Sequence, residues 1–174
     1  MLSDFNLLAT TMRRSERQMC HELVFLLKEI GDAEPKADKS GIRGVVVAKT
    51  TLNLIEAIEK FHSMLQERPY EFRYALRILP IEKVVHTDLE AVKAAAAELF
   101  KNLGENESFR VTVEKRFTSI HSKEFIEAAV SDIKNKVELE NPDKILLIEV
   151  LGGYTGLSLI KPSDCISVMK EKMA

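Results

Sequence analysis

The chain has 174 residues, of which 45% are hydrophobic and 30% charged, as in a soluble globular protein of one domain or two small ones. No apolar run approaches the roughly 20 residues that a membrane-spanning helix needs, and no signal pattern opens the chain, so we expect a cytoplasmic protein without a membrane partner. The net charge of −2 excludes a strongly basic nucleic-acid binder and restricts any nucleic-acid site to a local basic patch.

The first 79 residues contain strand and helix signals in the order βαββαβ, which is the order of a ferredoxin-like domain. Apolar residues recur at helical spacing after Ser15 and again after Thr50 and Thr51, which are suitable N-caps. Gly31 is expected to end the first helix in a left-handed conformation. Four segments predict strands: residues 5–11, a weak strand near Glu34, residues 42–48 and residues 70–79.

Residues 80–174 predict a second domain of the α/β type. A helix is expected from Thr87 to about residue 103, with Glu90 completing a capping box. Residues 109–116 alternate between apolar and polar side chains, as a strand with one wet face does. The next helix is expected to begin with Ser122 as its N-cap and to bury a face that extends to Val137.

Two apolar segments near the end of the chain, residues 145–151 and 154–160, predict strands. Gly152 and Gly153 lie between them and suit a two-residue hairpin loop. The predicted fold class is therefore α+β, with a ferredoxin-like domain at residues 1–79 followed by an α/β domain at residues 80–174.

The most promising candidate site lies where the strand at residues 109–116 ends. Lys115 and Arg116 are followed by the hydroxyl groups of Thr118 and Ser119, and two cations with two hydroxyls can bind a phosphate group. The start of the next helix, where free backbone N–H groups favour anions, adds three residues: His121, Ser122 and Lys123. The alternative is a solvated loop with a capping serine.

A second group of cations, Arg13, Arg14 and Arg17, lies between the first strand and the first helix. These side chains can contact an RNA backbone in the same way. Cations at a helix N-terminus oppose the helix dipole, at a cost of about 0.3–1 kcal/mol each. A binding function explains this cost, and neutralisation by Asp4 or Glu16 explains it equally well.

Two further sets of polar residues are compatible with RNA contacts and with an ordinary sheet surface. Lys161 ends the last predicted strand, on which Tyr154 and Ser158 also lie. Arg73 and Arg77 share one face of the strand predicted at residues 70–79, which favours a solvated surface for them.

The sequence contains no recognisable catalytic or metal-binding pattern. The four histidines lack the spacing of zinc ligands. Cys20 and His21 are neighbours on a predicted helix, so they point about 100° apart and cannot pair as nucleophile and base. Gly152, Gly153 and Gly156 lie in a hairpin rather than before a helix, which excludes a dinucleotide or P-loop motif. We therefore expect a protein without catalytic activity, metal or cofactor.

Several segments of the chain carry a family resemblance. The segments FRVTVEKRFTSIHSKEFIEAAV and NPDKILLIEV, within residues 109–161, resemble the second half of the THUMP domain, an RNA-binding module of tRNA-modifying enzymes. The segments FNLLATTMRRSERQMCHEL and IRGVVVAKT look like the ferredoxin-like domain that precedes THUMP in several of these enzymes. A catalytic domain follows in those enzymes, whereas this sequence ends shortly after Lys161. The arrangement is most similar to the small THUMP proteins that serve tRNA cytidine acetylation.

The resemblance implies an adaptor that binds tRNA and presents it to a separate modifying enzyme, an RNA cytidine acetyltransferase. It further implies that a set of polar residues faces the tRNA backbone: Lys115, Arg116, His121, Ser122 and Lys161. Two alternatives stay open. One is a non-catalytic subunit that contacts only protein and not RNA, which suits the negative net charge; the other is a ferredoxin-like domain that senses a small molecule.

Overall fold

The computed structural model describes residues 1–174 and contains nine strands and five α-helices. The strands are β1 (Leu7–Thr10), β2 (Lys36–Lys39), β3 (Val45–Lys49), β4 (Arg77–Pro80), β5 (Lys83–His86), β6 (Phe109–Arg116), β7 (Lys144–Leu151), β8 (Tyr154–Ile160) and β9 (Ile166–Ser167). The helices are α1 (Glu16–Glu29), α2 (Leu54–Glu67), α3 (Leu89–Phe100), α4 (Ser122–Val130) and α5 (Val168–Met173). None of the helices has both the length and the apolar composition needed to cross a bilayer.

Two compact units make up the chain, and the predicted α+β class is confirmed. The first unit contains residues 1–81 and 164–174, and the second contains residues 82–163. In the first unit an antiparallel sheet has the strand order β2-β3-β1-β4-β9, and its first six elements follow the predicted order βαββαβ. Alternate residues of the central strands, such as Leu7, Ala9 and Val46, pack with α1 and α2 in one apolar core.

The ends of α1 and α2 depend on side chains and turns that stabilise the helix termini. Gly31 has a φ of 111°, so the predicted left-handed residue after α1 is confirmed. The cap predicted for α2 is wrong, because Asn53 accepts the backbone N–H of Glu56 at that position. Thr50 and Thr51 instead donate their hydroxyls to the carboxylate of Asp32.

The strand predicted at residues 70–79 is wrong over most of its length. Residues Pro69–Glu71 form a 3₁₀ helix, and only Arg77–Pro80 pairs with β1. The buried carboxylate of Glu22 explains the difference. It accepts the backbone N–H groups of the residues that precede the strand, which are Arg73, Tyr74 and Ala75, so these groups are not available for a sheet.

The second unit has a four-stranded sheet with the order β5-β8-β7-β6. β6 and β7 are parallel and are joined through α4, whereas β8 runs antiparallel to both of its neighbours. The apolar side chains of α3 and α4 pack on one face of this sheet, against Leu146, Ile148 and Val150 of β7. Strand β5 was not predicted from the sequence, and it joins the sheet by antiparallel pairing with β8.

Helix α4 is shorter than its apolar periodicity predicts. It ends at Val130 and does not extend to Val137. Instead, the backbone N–H of Phe109 donates to the carbonyl of Lys136, and the N–H of Glu138 donates to the carbonyl of Phe109. Pairing of this segment with the start of β6 therefore replaces the last two turns of the predicted helix.

The last eleven residues differ from the predicted domain organisation. They were assigned to the second domain with residues 80–163, but β9 pairs with β4 through Arg77↔Ser167 and Ile78↔Ile166, and Val168 packs in the core of the first unit. Sequence order gave no signal of this return, because hydrogen bonding to a strand edge depends on tertiary structure.

Asp32 links stability of the first unit to pH. The residue is 2% exposed; burial by itself raises the pKa of its carboxyl, but hydrogen bonds from Thr50, Thr51 and the N–H of Glu34 lower the pKa below its usual value. A lowered folded pKa gives stability that is present above the unfolded pKa of about 3.9 and lost as the pH falls through the folded pKa.

We therefore expect the urea concentration at the midpoint of unfolding to decrease when the pH is lowered below about 4. Asp32→Asn should reduce both this pH dependence and the stability at pH 7. Urea titrations between pH 2 and pH 7 measure this, with the exposed Asp132→Asn as the control. Equal pH dependence in the wild type and Asp32→Asn would contradict the assignment.

Candidate nucleic-acid interface

The end of β6 shares one edge of the sheet with the β7–β8 turn and the end of β5. Across the four strands the register joins Arg116 to Leu151, Leu151 to Tyr154, and Tyr154 to His86. The rings of His86 and Tyr154 stack with their centroids 5.5 Å apart. This edge therefore carries cationic and aromatic side chains from three strands.

Lys115 and Arg116 lie on opposite faces of the sheet, because side chains alternate along a strand. Lys115 pairs in register with Val150, which belongs to the core beneath α3 and α4. Arg116 pairs in register with Leu151, on the other face. The two cations that the sequence analysis combined in one phosphate site are thus directed to different sides.

Arg116 makes an ion pair with a buried carboxylate. Its Nη1 donates to Oε2 of Glu149 at 3.0 Å, and the two side chains are 19% and 3% exposed. A carboxylate at this depth needs a charged or hydrogen-bonding partner, since an unpaired buried charge is strongly destabilising. The guanidinium of Arg116 consequently has a structural role, whatever further contacts its remaining N–H groups make.

Lys115 is exposed and organises the loop that follows β6, residues 117–121. Its Nζ donates to the carbonyl of Ile120 at 3.2 Å, while the N–H of Ile120 donates to Oγ1 of Thr118 at 3.2 Å. Ile120 also packs against the core of the second unit. The loop is therefore held in one conformation, with the ammonium of Lys115 beside it.

The N-terminus of α4 contains the other predicted residues of this site. Ser122 is the first residue of the helix and not its N-cap, so that prediction is wrong: His121 occupies the cap position, and its N–H donates to Oε2 of Glu124 at 2.8 Å. The backbone N–H groups of Ser122 and Lys123 have no protein acceptor. Such groups are suited to an anion at a helix N-terminus.

We call Lys115, Thr118, His121, Ser122 and Lys123 the β6–α4 cluster. Its two lysines are exposed, and Lys123 is within 3.9 Å of Glu127. The carboxylates of Glu124 and Glu127 oppose the positive charge, so the cluster is only weakly basic. It offers lysine ammonium groups, hydroxyls and backbone N–H groups to a phosphate, without a strong long-range field.

Lys161 does not join the β6–α4 cluster within the second unit. It follows β8, whose last residue Ile160 pairs with Ile145 at the beginning of β7. The cluster follows Arg116, which pairs with Leu151 at the other end of β7. Ile145 and Leu151 are six residues apart along β7, so Lys161 and the cluster lie about 20 Å apart in the strand direction.

The first unit contains a separate basic cleft. It has a volume of about 390 Å³ and is lined by Arg13, Arg14, Arg43 and Glu16. Glu16 accepts the N–H of Gly44 through Oε1 at 2.9 Å, and this hydrogen bond lowers the pKa of its carboxyl. One carboxylate therefore faces three guanidinium groups, which leaves the cleft positive and suited to an anion.

The sequence analysis missed residues that the fold adds to these sites. Arg43 lies about 30 residues from Arg14 along the chain and reaches the cleft because the carbonyl of Gly44 accepts the N–H of Thr11 at 2.9 Å. His86 was considered only as a zinc ligand and not as part of a binding surface, because β5 was not predicted. The only sequence signal for Arg43 was its place in a Gly-Ile-Arg-Gly turn.

Two backbone conformations mark these loops. Arg14 has a φ of 73° and Phe117 a φ of 54°, and no other residue except glycine has a positive φ. Both follow a strand and precede a helix that begins at a candidate site. A left-handed conformation costs a non-glycine residue about 1–3 kcal/mol, and such costs concentrate at functional sites.

The different roles of Lys115 and Arg116 are testable. Arg116→Ala should lower the free energy of unfolding by about 2 kcal/mol, because it removes a charge-assisted hydrogen bond from a buried carboxylate. Lys115→Ala should change it by less than about 0.5 kcal/mol, because the side chain is exposed. Urea unfolding of the two variants measures both effects, and equal losses would contradict the assigned roles.

Comparison with known proteins identifies the second unit. Residues 86–160 match the family model of the THUMP domain. The THUMP domain-containing protein 1 homolog of Drosophila melanogaster is 30% identical over 96 residues, which cover 51% of this chain and 30% of that protein. This chain therefore spans less than a third of that relative's length.

Solved structures with a similar fold include TrmN from Thermus thermophilus, with a TM-score of 0.60, 20% identity, and coverage of 88% of this chain and 44% of that chain. PH1313 from Pyrococcus horikoshii Ot3 has a TM-score of 0.60, 19% identity, and coverage of 90% and 55%. A 4-thiouridine synthetase solved in complex with RNA and bound ATP has a TM-score of 0.51, 15% identity, and coverage of 91% and 42%. At these identities the likeness is one of fold. Together with the family match, the parallel β6–α4–β7 unit and its antiparallel neighbours form a THUMP domain within this chain.

Proposed function

We propose that the protein binds tRNA and presents it to a modifying enzyme on a separate chain. The observation that carries the proposal is the THUMP domain, whose β6–α4 cluster exposes lysines and free backbone N–H groups at one edge of the sheet. Because phosphate contacts position a nucleic acid without reading its sequence, this cluster suits recognition of a folded RNA by its backbone.

The similar structures support a role in RNA modification. One of them is a 4-thiouridine synthetase in complex with RNA, and another is a putative methyltransferase in complex with SAH. The fold shared with this chain accounts for 42% of each of these chains. In the proposal this chain has the substrate-binding role, and the chemistry belongs to its partner.

The charge of the protein indicates weak binding by the isolated chain. The net charge is −2, and Glu124 and Glu127 lie next to the β6–α4 cluster. Phosphate neutralisation supplies most of the affinity for nucleic acids, so few cations give weak and salt-sensitive binding. We infer a dissociation constant of about 1 μM or weaker, with the partner enzyme adding further contacts to the tRNA.

We propose that the partner enzyme acetylates cytidine in the tRNA that this protein presents. The support is the resemblance of the chain to small THUMP proteins that serve tRNA acetylation, together with the 30% identity to a THUMP domain-containing protein 1 homolog. The partner would be an RNA cytidine acetyltransferase. No cofactor or metal of the chain's own is part of this proposal.

The first test is a tRNA titration of a double charge reversal. Lys115→Glu with Lys123→Glu should weaken binding roughly tenfold at low salt, because two phosphate contacts become repulsive. Fluorescence anisotropy with labelled tRNA measures the change, and the affinity of the wild type should fall as salt rises.

A matched control is available at the other end of the same strand. Lys134 and Lys136 are exposed, and the carbonyl of Lys136 accepts the backbone N–H of Phe109. Phe109 begins β6 and lies about 20 Å from Lys115 along the strand. Lys134→Glu with Lys136→Glu makes the same change in net charge. Equal weakening by both double variants would place the interface elsewhere, and absence of any tRNA binding by the wild type at low salt would refute the proposal.

The second test concerns the modification. Nucleosides from the tRNA of a strain lacking the gene should have lost 4-acetylcytidine, and re-expression of the wild type should restore it, whereas the Lys115→Glu, Lys123→Glu variant should restore less. Mass spectrometry of digested tRNA measures this. If 4-acetylcytidine is unchanged and another modified nucleoside is lost, the adaptor role stands, but the partner is the enzyme that makes that other nucleoside and not an acetyltransferase.

A second candidate function is a non-catalytic subunit that contacts only protein. Val137 and Leu139 favour it, because they are 57% and 71% exposed beside the edge strand β6. Exposed apolar side chains at a strand edge are typical of protein contacts. Recovery of the partner enzyme after nuclease treatment, together with absent tRNA binding, would support this candidate over the first.

A further inference from the structure

Phe117 is the most exposed large hydrophobic side chain of the protein, at 83%. It lies directly after β6, in a loop whose other residues are polar except Ile120. Phenylalanine is usually buried, because transfer of its apolar ring out of water lowers the free energy. The loop packs the partly buried Ile120 against the core and leaves the larger ring of Phe117 in solvent.

The backbone that carries the exposed ring is anchored on both sides of Phe117. Phe117 has a φ of 54°, which is a genuine outlier for a bulky residue. Immediately before it, the carbonyl of Arg116 accepts the N–H of Gly152 at 2.9 Å. Three residues after it, the backbone of Ile120 is held by two side chains: its N–H donates to Oγ1 of Thr118, and its carbonyl accepts from Nζ of Lys115. The strand end and the anchored loop thus fix the position of the backbone from which the ring projects into solvent.

The surroundings indicate what can bind this ring. A protein-docking surface normally presents a contiguous apolar patch, whereas Phe117 is a single ring between Arg116 and Thr118. Nearby are the ammonium of Lys115 and the free N–H groups at the start of α4. A planar apolar ligand with an adjacent phosphate fits this combination, which is the chemistry of a nucleotide with an unpaired base.

We propose that Phe117 is a stacking residue that binds an unpaired nucleobase while the β6–α4 cluster contacts the adjoining phosphates. This inference rests on the proposed RNA-binding function and adds to it a preference for unpaired over fully paired RNA. Stacking tolerates every base, so it requires no sequence preference. The strained backbone then has a functional reason, because it directs the ring away from the core.

Fluorescence can test the contact directly, since the natural chain contains no tryptophan. Phe117→Trp introduces a single indole at the exposed position. We expect its emission to be quenched on addition of a single-stranded RNA oligonucleotide, and much less by a blunt RNA duplex of the same length. Tyr70→Trp is the matched control, because Tyr70 is also an exposed aromatic side chain, at 67%, and belongs to the first unit.

Affinity measurements separate stacking from simple apolar contact. Phe117→Ala and Phe117→Leu should each weaken binding of single-stranded RNA roughly tenfold, and Phe117→Tyr should bind like the wild type. Thermal melting of each variant should match that of the wild type, because the ring is exposed. Wild-type affinity in Phe117→Leu would overturn stacking.

The results also distinguish this inference from the function on which it rests. If the wild type binds RNA but Phe117→Ala binds equally and Phe117→Trp is not quenched, the stacking role is refuted and RNA binding remains. If the wild type binds neither tRNA nor the single-stranded oligonucleotide, both the RNA-binding function and the stacking role are refuted. If the indole at position 117 shifts its emission only with the partner enzyme and not with RNA, the ring is a protein contact and the stacking proposal is overturned.

Discussion

The parallel pairing of β6 with β7 is the constraint on which the candidate site depends. It fixes the register Lys115↔Val150 and Arg116↔Leu151, so that two adjacent cations are directed to opposite faces of one sheet. Arg116 then pairs with the buried carboxylate of Glu149, and Lys115 remains exposed beside the following loop. β6 is the last strand in the sheet order, and Phe117, which directly follows it, is 83% exposed.

The structural role of one residue and the proposed binding roles of others therefore fall on neighbouring positions in the chain. The guanidinium of Arg116 compensates a carboxylate that is only 3% exposed, and the partly buried Ile120 anchors the loop by packing against the core. Between these two anchors, Phe117 and the start of α4 remain available to a ligand. A loop held at both ends loses little conformational freedom on binding, which favours affinity when few charges contribute.

Chain proximity decides which parts of the site the sequence could predict. Residues 115–123 are consecutive, so their cations, hydroxyls and helix start were identified together, and the structure places them at one sheet edge. The strand at residues 70–79 and the long helix after Ser122 were wrong, because Glu22 and Phe109 take the backbone hydrogen bonds of those segments from a distance along the chain. Local propensity is a weak prior where tertiary contacts compete with it.

The sequence by itself determined the α+β class, the order of most elements and the segments that resemble a THUMP domain, because periodicity and turn residues act over short distances. Only the tertiary structure decided that Arg43 joins Arg13 and Arg14, that Lys161 lies at the other end of β7 from Lys115, and that residues 164–174 return to the first unit. Each of these depends on strand register and on contacts between residues far apart in the chain. Composition and spacing do not encode such distances, whereas hydrogen bonding across a sheet sets them directly.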